Sequence, residues 1–151
     1  MAHRIKEICG GDVSGKTLAV LGLTFKPNTD DMRDSPALAI LPALSEAGAI
    51  VRAFDPEGME EARKALSDVV YCADAYATME GADALVILTE WNEFRALDLP
   101  RVKSLLRTPV VVDLRNIYQP DDMTAVGLVY HSIGRTTGAP TATGAWLRAI
   151  G

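Results

Sequence analysis

The sequence of 151 residues is long enough for one domain with a single hydrophobic core. Hydrophobic residues make up 48% of it and charged residues 23%, as in soluble globular proteins, and no apolar run reaches the roughly 18 residues of a membrane span. The formal net charge of -5 argues against a role on nucleic acids or anionic membranes, because such roles need a basic surface.

Strand and helix patterns alternate along most of the chain. A short amphipathic segment within residues 1–15 ends at Gly10 and Gly11, and we interpret it as a leader or as the end of a connecting helix. The predicted strands are residues 17–23, 50–56, 69–72, 84–89, 110–114 and 128–133, and the predicted helices are residues 36–47, 59–66, 74–80, 100–106 and 120–125. This alternation predicts an α/β fold, Rossmann-like, with a doubly wound parallel sheet of about six strands between two helical layers.

The chain is predicted to have three parts, of which residues 1–15 are the first. Residues 16–135 form the predicted domain, with an expected strand order of 3-2-1-4-5-6. Residues 136–151 are rich in Thr, Gly and Ala and are predicted to be a tail, in which residues 145–150 fit a short helix. Asp74 is predicted to cap a brief helix that closes at Gly81.

Cysteine and histidine usage indicates neither a metal site nor a nucleophile. Cys9 and Cys72 lack metal-ligand spacing and a disulfide-rich context. His3 and His131 show no ligand or triad pattern, and we expect His131 to be structural. The basic amino-terminal residues are not followed by an apolar stretch typical of signal peptides. We therefore expect a cytoplasmic protein with reduced thiols.

Residues 22–36 form the segment in which a binding site is expected. They follow a strand of almost continuous apolar character and contain Pro27 and Asn28, which favour turns. Ser35 is predicted as the N-cap of the next helix and Pro36 as its first residue. In an open α/β sheet, ligands bind where the carboxyl ends of strands meet the amino ends of helices, so this junction is the expected site.

The predicted strand order brings the exits of the first, fourth and fifth strands together. Those exits carry Phe25, Lys26 and Arg33, then Glu90, Trp91 and Phe94, and finally Arg115. Three cations beside aromatic rings in an acidic protein favour an anion attached to a planar ring, such as a nucleotide diphosphate. Arg115 is the strongest of these candidates, because a cation directly after a buried strand is expected to face the cleft.

Each candidate also has a purely structural interpretation. Lys26 can be a solvated loop charge, and Arg33 can pair with one of its three neighbouring aspartates in a surface ion pair that contributes little. Trp91 and Phe94 can equally cover the end of the sheet as core residues. The sequence leaves these alternatives open.

The glycine-rich turn of dinucleotide-binding sheets is missing. Gly22 is followed by Leu23, Thr24, Phe25 and Lys26 without a further glycine, so an NAD pyrophosphate cannot lie against this turn. Asp55, at the end of the second strand, has the place of a ribose-binding acid. Without the glycines, we interpret it as part of a strand-terminating Asp-Pro turn.

Four stretches resemble the C-terminal, UDP-binding domain of UDP-glucose 6-dehydrogenases, in the UDP-glucose/GDP-mannose dehydrogenase family. They are residues 22–36, 83–91, 113–116 and 130–135, and the resemblance covers residues 12–135. The motif at residues 26–29 is more similar to the UDP-glucose branch than to the GDP-mannose branch. The resemblance implies NAD-dependent oxidation of UDP-glucose to UDP-glucuronate, a step of polysaccharide biosynthesis.

The same resemblance implies a role for individual residues. Phe25 and Lys26 would contact the UDP-sugar, and Arg115 would be a second cation on the substrate side. Arg33 would reach NAD, held mainly by an N-terminal domain of the same enzyme. Trp91 and Phe94 stay candidates for the lining of the cleft.

The family's NAD domain and its segment with the nucleophilic cysteine are not found in the sequence. Neither Cys9 nor Cys72 sits in such a segment. The resemblance therefore implies a chain that is inactive alone, works with that NAD domain and belongs to a homo-oligomer. Two other interpretations stay open, namely a stand-alone, non-catalytic nucleotide-binding module and an oligomerisation module without a ligand.

Overall fold

Residues 2–133 are the part of the chain that the computed structural model describes, and they form six strands and seven helices. The strands are β1 (Thr17–Leu21), β2 (Ile50–Phe54), β3 (Val69–Tyr71), β4 (Ala84–Ile87), β5 (Val110–Asp113) and β6 (Val129–Ser132). The helices are α1 (Ala2–Ile8), α2 (Ala37–Glu46), α3 (Met59–Ala65), α4 (Ala75–Met79), α5 (Asn92–Arg95), α6 (Leu99–Leu105) and α7 (Pro120–Ala125). No helix in this part of the chain is both long and apolar enough to cross a bilayer.

All strand pairs are parallel, and the sheet order is β3-β2-β1-β4-β5-β6. The predicted doubly wound order is therefore confirmed. The central strands end level with one another, because Leu21 lies beside Phe54 on one side and beside Ile87 on the other, and Ile87 lies beside Asp113. The exits of β1, β2, β4 and β5 consequently share one edge of the sheet.

Two apolar layers cover the sheet. On one face, α1 and α2 contribute Ile5, Ile8 and Leu41, and α3 adds Ala62. The other face is covered by α4 to α7, whose buried side chains include Met79, Phe94, Val102 and Met123. Because β1 and β4 are buried on both faces, their sequences are continuously apolar rather than alternating.

The structure departs from the predicted elements at two places near the expected site. Helix α5 was not predicted, and it occupies part of what the sequence suggests is a connection. Helix α2 begins at Ala37 rather than Pro36, which stands at the N-cap position in a helical conformation, with φ at -60° and ψ at -24°. The Ser35 hydroxyl donates to the carbonyl of Leu23 at 2.5 Å and accepts from the Ala37 amide at 3.2 Å. It therefore ties the helix entry back to the end of the strand.

The cap predicted at Asp74 is confirmed, since its carboxylate accepts from the Ala77 amide at 2.8 Å. The tail over residues 136–151, its helix over 145–150, and the last two residues of the 130–135 motif lie outside the described residues. The division of the chain at residues 15 and 135 stays a prediction.

Candidate ligand-binding site

The loop after β1 rests on a buried carboxylate. Asp55, which follows β2, is 1% exposed. Its Oδ2 accepts hydrogen bonds from the Leu23 amide at 2.8 Å and the Thr24 amide at 3.1 Å. Its Oδ1 accepts from the amides of Glu57 at 2.9 Å and Gly58 at 2.7 Å. The exits of β1 and β2 are thus bound to one side chain.

The exit of β4 closes on the same point. Thr89 donates its hydroxyl to the carbonyl of Thr24 at 2.8 Å, and the indole Nε1 of Trp91 donates to Asp55 Oδ2 at 3.2 Å. Gly22 makes this approach possible, because a Cβ there would come within 2.5 Å of the Thr89 Cβ. The base of the loop is therefore buried and packed without spare room.

The tip of the loop, in contrast, projects into solvent. Phe25 is 47% exposed, and its amide donates to the carbonyl of Asp31 at 2.9 Å, which closes the tip into a compact turn. Lys26 is exposed, and its carbonyl lies 2.9 Å from the Thr24 hydroxyl. Asn28 takes a left-handed conformation, with φ at 65°, as asparagine tolerates in turns. The anchored loop thus exposes the ring of Phe25 and the ammonium group of Lys26 at its tip.

Arg33 forms a surface ion pair with Asp31, one of its three neighbouring aspartates. Its Nε lies 3.1 Å from Asp31 Oδ1 and its second terminal nitrogen 3.1 Å from Asp31 Oδ2, while the side chain is 88% exposed. Hydrogen bonds from Arg33 are the main cause that lowers the pKa of the Asp31 carboxyl. The guanidinium stands at the surface, where a group from outside the domain can reach it.

Arg115 lies at the exit of β5, with its side chain 40% exposed. Its Nε is hydrogen-bonded to the Glu90 carboxylate at the exit of β4, and its amide donates to Asp113 Oδ1 at 2.9 Å. Among residues 2–133, Lys26 is the one of the three predicted cations that takes part in no ion pair. Lys26 is therefore the cation most readily available to an anionic ligand.

The two aromatic candidates at the β4 exit have different surroundings. Phe94 is fully buried and meets Phe54 edge to face, with ring centroids 6.3 Å apart. Of the two interpretations open for Phe94, the structure supports packing in the core. Trp91 is 7% exposed and borders a shallow depression together with Asn28 and Glu57. Its indole nitrogen is already used by Asp55.

Two anchoring residues went unrecognised in the sequence. The sequence predicts Asp55 as part of a turn and places Asp113 in the motif of residues 113–116, and neither pattern predicts an anchoring role. Asp113 is fully buried, and its Oδ2 accepts from the Ile117 amide at 2.9 Å and the Tyr130 hydroxyl at 2.6 Å. The available signal was an aspartate at the end of a predicted strand, because a charge that is buried there is tolerated only if it is hydrogen-bonded.

Fold and site together define a class of protein. The sheet is doubly wound and open, and its strand exits carry an anchored loop with an exposed cation. The turn after β1 is not glycine-rich. These features are typical of a Rossmann-like domain whose own sheet edge takes a ligand other than a dinucleotide.

The particular family follows from comparison with known proteins. Residues 19–120 match the model of the UDP-glucose/GDP-mannose dehydrogenase family, UDP binding domain, and the chain belongs to this family.

Similar proteins are much longer than this chain. It is 57% identical over 135 residues to a UDP-glucose 6-dehydrogenase of Rhizobium meliloti (strain 1021), covering 89% of this chain and 31% of that protein. It is 50% identical over 126 residues to the UDP-glucose 6-dehydrogenase TuaD of Bacillus subtilis (strain 168), covering 83% and 27%. A solved UDP-glucose dehydrogenase from the archaeon Pyrobaculum islandicum superimposes with a TM-score of 0.73 at 34% identity, covering 89% and 29%. The chain thus spans less than a third of the length of these relatives.

Proposed function

We propose that the chain is the UDP-sugar-binding part of an NAD-dependent UDP-glucose 6-dehydrogenase, which converts UDP-glucose to UDP-glucuronate. The observation that carries the proposal is the position of Lys26, an exposed cation outside any described ion pair on the tip of the anchored loop. That loop lies where ligands bind in open α/β sheets. Membership of the family whose matching domain binds UDP supports it.

The substrate side consists of Phe25, Lys26 and Arg115. A diphosphate offers acceptor oxygens to the Lys26 ammonium, and the exposed ring of Phe25 offers apolar contact to the sugar nucleotide. Glu90 holds the guanidinium of Arg115 at the neighbouring strand exit, which limits its rotamers before substrate arrives. Trp91 lines the depression beside the loop.

The domain's own sheet edge does not fit NAD. The turn after β1 lacks the glycines that let a pyrophosphate approach, and Asp55 has its oxygens occupied by protein donors, so it has none to offer a ribose. We therefore assign the main NAD contacts to an N-terminal domain of the same enzyme. Arg33, which stands free of the core, is proposed to reach the cofactor from this side.

The wider setting belongs to the same proposal. We expect the full-length enzyme to be a cytoplasmic homo-oligomer in polysaccharide biosynthesis. This expectation rests on the proposed identity as a UDP-glucose 6-dehydrogenase, the name that the two relatives described above carry.

Titration calorimetry with UDP tests the substrate assignment. Lys26→Ala is expected to weaken binding about 10- to 150-fold, because a hydrogen bond to a charged group contributes about 1.5 to 3 kcal/mol. Lys103→Ala is the matched control, since Lys103 is an exposed lysine in the last turn of α6. Equal UDP affinity of the Lys26→Ala variant and the parent contradicts the assignment, and absence of UDP binding in the parent contradicts the proposed function.

A further inference from the structure

Asp55 lies where other sheets of this class carry a ligand-binding acid. It directly follows β2, the strand next to the switch point, and dinucleotide-binding sheets have the acid that holds a ribose there. Here its carboxylate faces inward and accepts five hydrogen bonds from three strand exits. The donors are the amides of Leu23, Thr24, Glu57 and Gly58 and the indole of Trp91, while the Thr24 hydroxyl, whose one proton is nearer to the Lys26 carbonyl, lies 3.2 Å away. A carboxylate has about four lone-pair sites, so this one is saturated.

Thr24 connects the saturated carboxylate to Lys26, which lies two residues further along the chain. The Thr24 hydroxyl lies 3.2 Å from Asp55 Oδ2 and 2.9 Å from the Lys26 carbonyl, so one side chain touches both. Gly58 packs against the same threonine, since a Cβ on Gly58 would come within 2.4 Å of the Thr24 Cγ2. Thr24 therefore has no alternative position, and the backbone of Lys26 starts from a fixed point.

We propose that Asp55 is a positioning residue for the ligand loop, acting through Thr24 to fix the direction in which Lys26 leaves the sheet edge. The inference rests on the proposed UDP-sugar function. Pre-set geometry of this kind matters for binding, because ordering a loop on ligand arrival subtracts from the affinity.

The first variant is Asp55→Asn, with UDP as the probe. An amide has the same shape but replaces one acceptor oxygen with a donor NH₂, which then faces backbone amides on one side of the network. We expect the variant to stay folded and to bind UDP about 10-fold more weakly than the parent. Amide hydrogen exchange at Leu23 and Thr24 is expected to accelerate.

Two substitutions of Thr24 separate positioning from general stability. Thr24→Val keeps the buried shape and deletes the hydroxyl, so it is expected to weaken UDP binding about 10-fold. Thr24→Ser restores the hydroxyl and is expected to recover most of the parent affinity. Should Asp55→Asn fail to fold, this pair decides the question by itself.

Asp83→Asn is the matched control. Asp83 lies at the opposite edge of the sheet, where its Oδ2 accepts from the Thr17 amide at 2.8 Å. The same chemical change there is expected to lower stability without altering UDP affinity.

The proposal is overturned if folded Asp55→Asn, or Thr24→Val, binds UDP as the parent does, or if Asp83→Asn weakens binding equally. If the parent itself does not bind UDP, the proposed function fails. In that case the amide chemical shifts of residues 25–31 serve as a separate test of the positioning role of Asp55. Unchanged shifts in Asp55→Asn overturn it, and shifts that move in Asp55→Asn but not in Asp83→Asn support it.

Discussion

Asp55 and Asp113 have the same structural role on either side of the sheet's centre. Asp55 follows β2, and its Oδ1 accepts from amides of the loop after it, while its Oδ2 accepts from amides of the loop after β1. Asp113 ends β5 and accepts from amides of the loop after it with both oxygens. A buried carboxylate is stable only with such partners, and each loop gains a fixed start. Asp55, which has the place of a ribose-binding acid, is thus part of the framework.

Gly22→Ala is expected to lower the free energy of unfolding by at least about 3 kcal/mol, measured by urea denaturation. Two effects combine there. The residue has φ at +96°, which disfavours any Cβ, and the new Cβ would lie 2.5 Å from the Thr89 Cβ and 2.6 Å from the Thr89 amide nitrogen. The steric effect pushes the exits of β1 and β4 apart.

Gly11→Ala separates those two effects. Gly11 has nearly the same backbone conformation, with φ at +91°, but a Cβ there would meet no atom within 4 Å. Its cost is expected to be about 1 kcal/mol, from the backbone alone. If Gly22→Ala and Gly11→Ala lower the free energy of unfolding equally, the predicted steric clash with Thr89 does not destabilise the fold.

His131 is expected to make stability depend on pH. Burial, and secondarily the nearby charge of Arg4, lowers the pKa of His131 from 6.5 to about 4. The unfolded chain therefore takes up a proton below pH 6.5 that the folded chain refuses until about pH 4. Stability is full above pH 6.5 and falls as the pH drops, by about 2 kcal/mol between pH 7 and pH 5 from this residue.

Urea denaturation of the parent and of His131→Gln at pH 7 and pH 5 measures this contribution. The parent is expected to lose more stability on acidification than the variant. His3→Gln, at an exposed histidine on α1 beside Glu7, is the control and is expected to behave as the parent. Identical losses in the parent and His131→Gln would exclude the assignment.

The sequence identifies the cations of the site but not their partners. Lys26, Arg33 and Arg115 follow from their position after buried strands, which is a local property. That Arg33 turns to Asp31, or that Arg115 meets Glu90, depends on side-chain rotamers and on loop geometry. Such choices among several nearby carboxylates involve small energy differences at a solvated surface, so no sequence pattern encodes them.

At the scale of elements, the loop after β5 is organised by one side chain. Asp113 accepts from the Arg115, Ile117 and Tyr118 amides and from the Tyr130 hydroxyl. The Tyr118 hydroxyl, whose pKa burial raises to about 12, in turn donates to the Phe94 carbonyl of α5. The turn that carries Arg115 is therefore connected to both neighbouring strands' exits.

Asp113→Ala is expected to cost about 3 kcal/mol of unfolding free energy, because several buried donors lose their acceptor together. Chemical denaturation measures it. Asp98→Ala is the comparison, since Asp98 caps α6 in an exposed position by accepting from the Arg101 amide at 3.2 Å, and such a cap contributes about 1 kcal/mol. A loss at Asp113 no larger than at Asp98 would contradict the central role of the buried carboxylate.

The sequence does not predict the shortest helix, α5. It has four residues, too few for any apolar periodicity, and its Phe94 packs in the core beside Phe54. The entry of α2 differs from the prediction by one residue. The Ser35 hydroxyl accepts from the Ala37 amide, as the predicted cap requires, and its proton goes to the Leu23 carbonyl, a tertiary contact that no local pattern encodes.

At the scale of the whole molecule, the strand order was predictable because few alternatives exist. Alternating strands and helices with short connections force parallel pairing and right-handed crossovers. The continuously apolar sequences of β1 and β4 mark them as central. What alternation does not encode is how closely the strand exits approach one another. That closeness rests on Gly22 and Gly58, whose missing side chains leave space for Thr89 and Thr24.

The isolated chain is expected to bind UDP-glucose without oxidising it. Its sheet edge has neither the glycines nor the free carboxylate of an NAD site, as the hydrogen bonds of Asp55 show. Burial raises the pKa of the Cys9 thiol, which disfavours the thiolate form that a nucleophile requires. Cys72 lies just beyond the edge strand β3, away from the exits of β1, β4 and β5.

Calorimetry with UDP-glucose and absorbance of NADH on the same preparation measure both halves of this expectation. Heat of binding without NADH formation is the expected result, and Cys72→Ala is expected to change neither signal. NADH formation by the parent that disappears in Cys72→Ala would show instead that this chain carries its own catalytic thiol. Separation of the two signals follows from the proposed function, in which binding depends on one loop at the sheet edge, whereas oxidation would also require a bound cofactor and a reactive thiol beside the sugar.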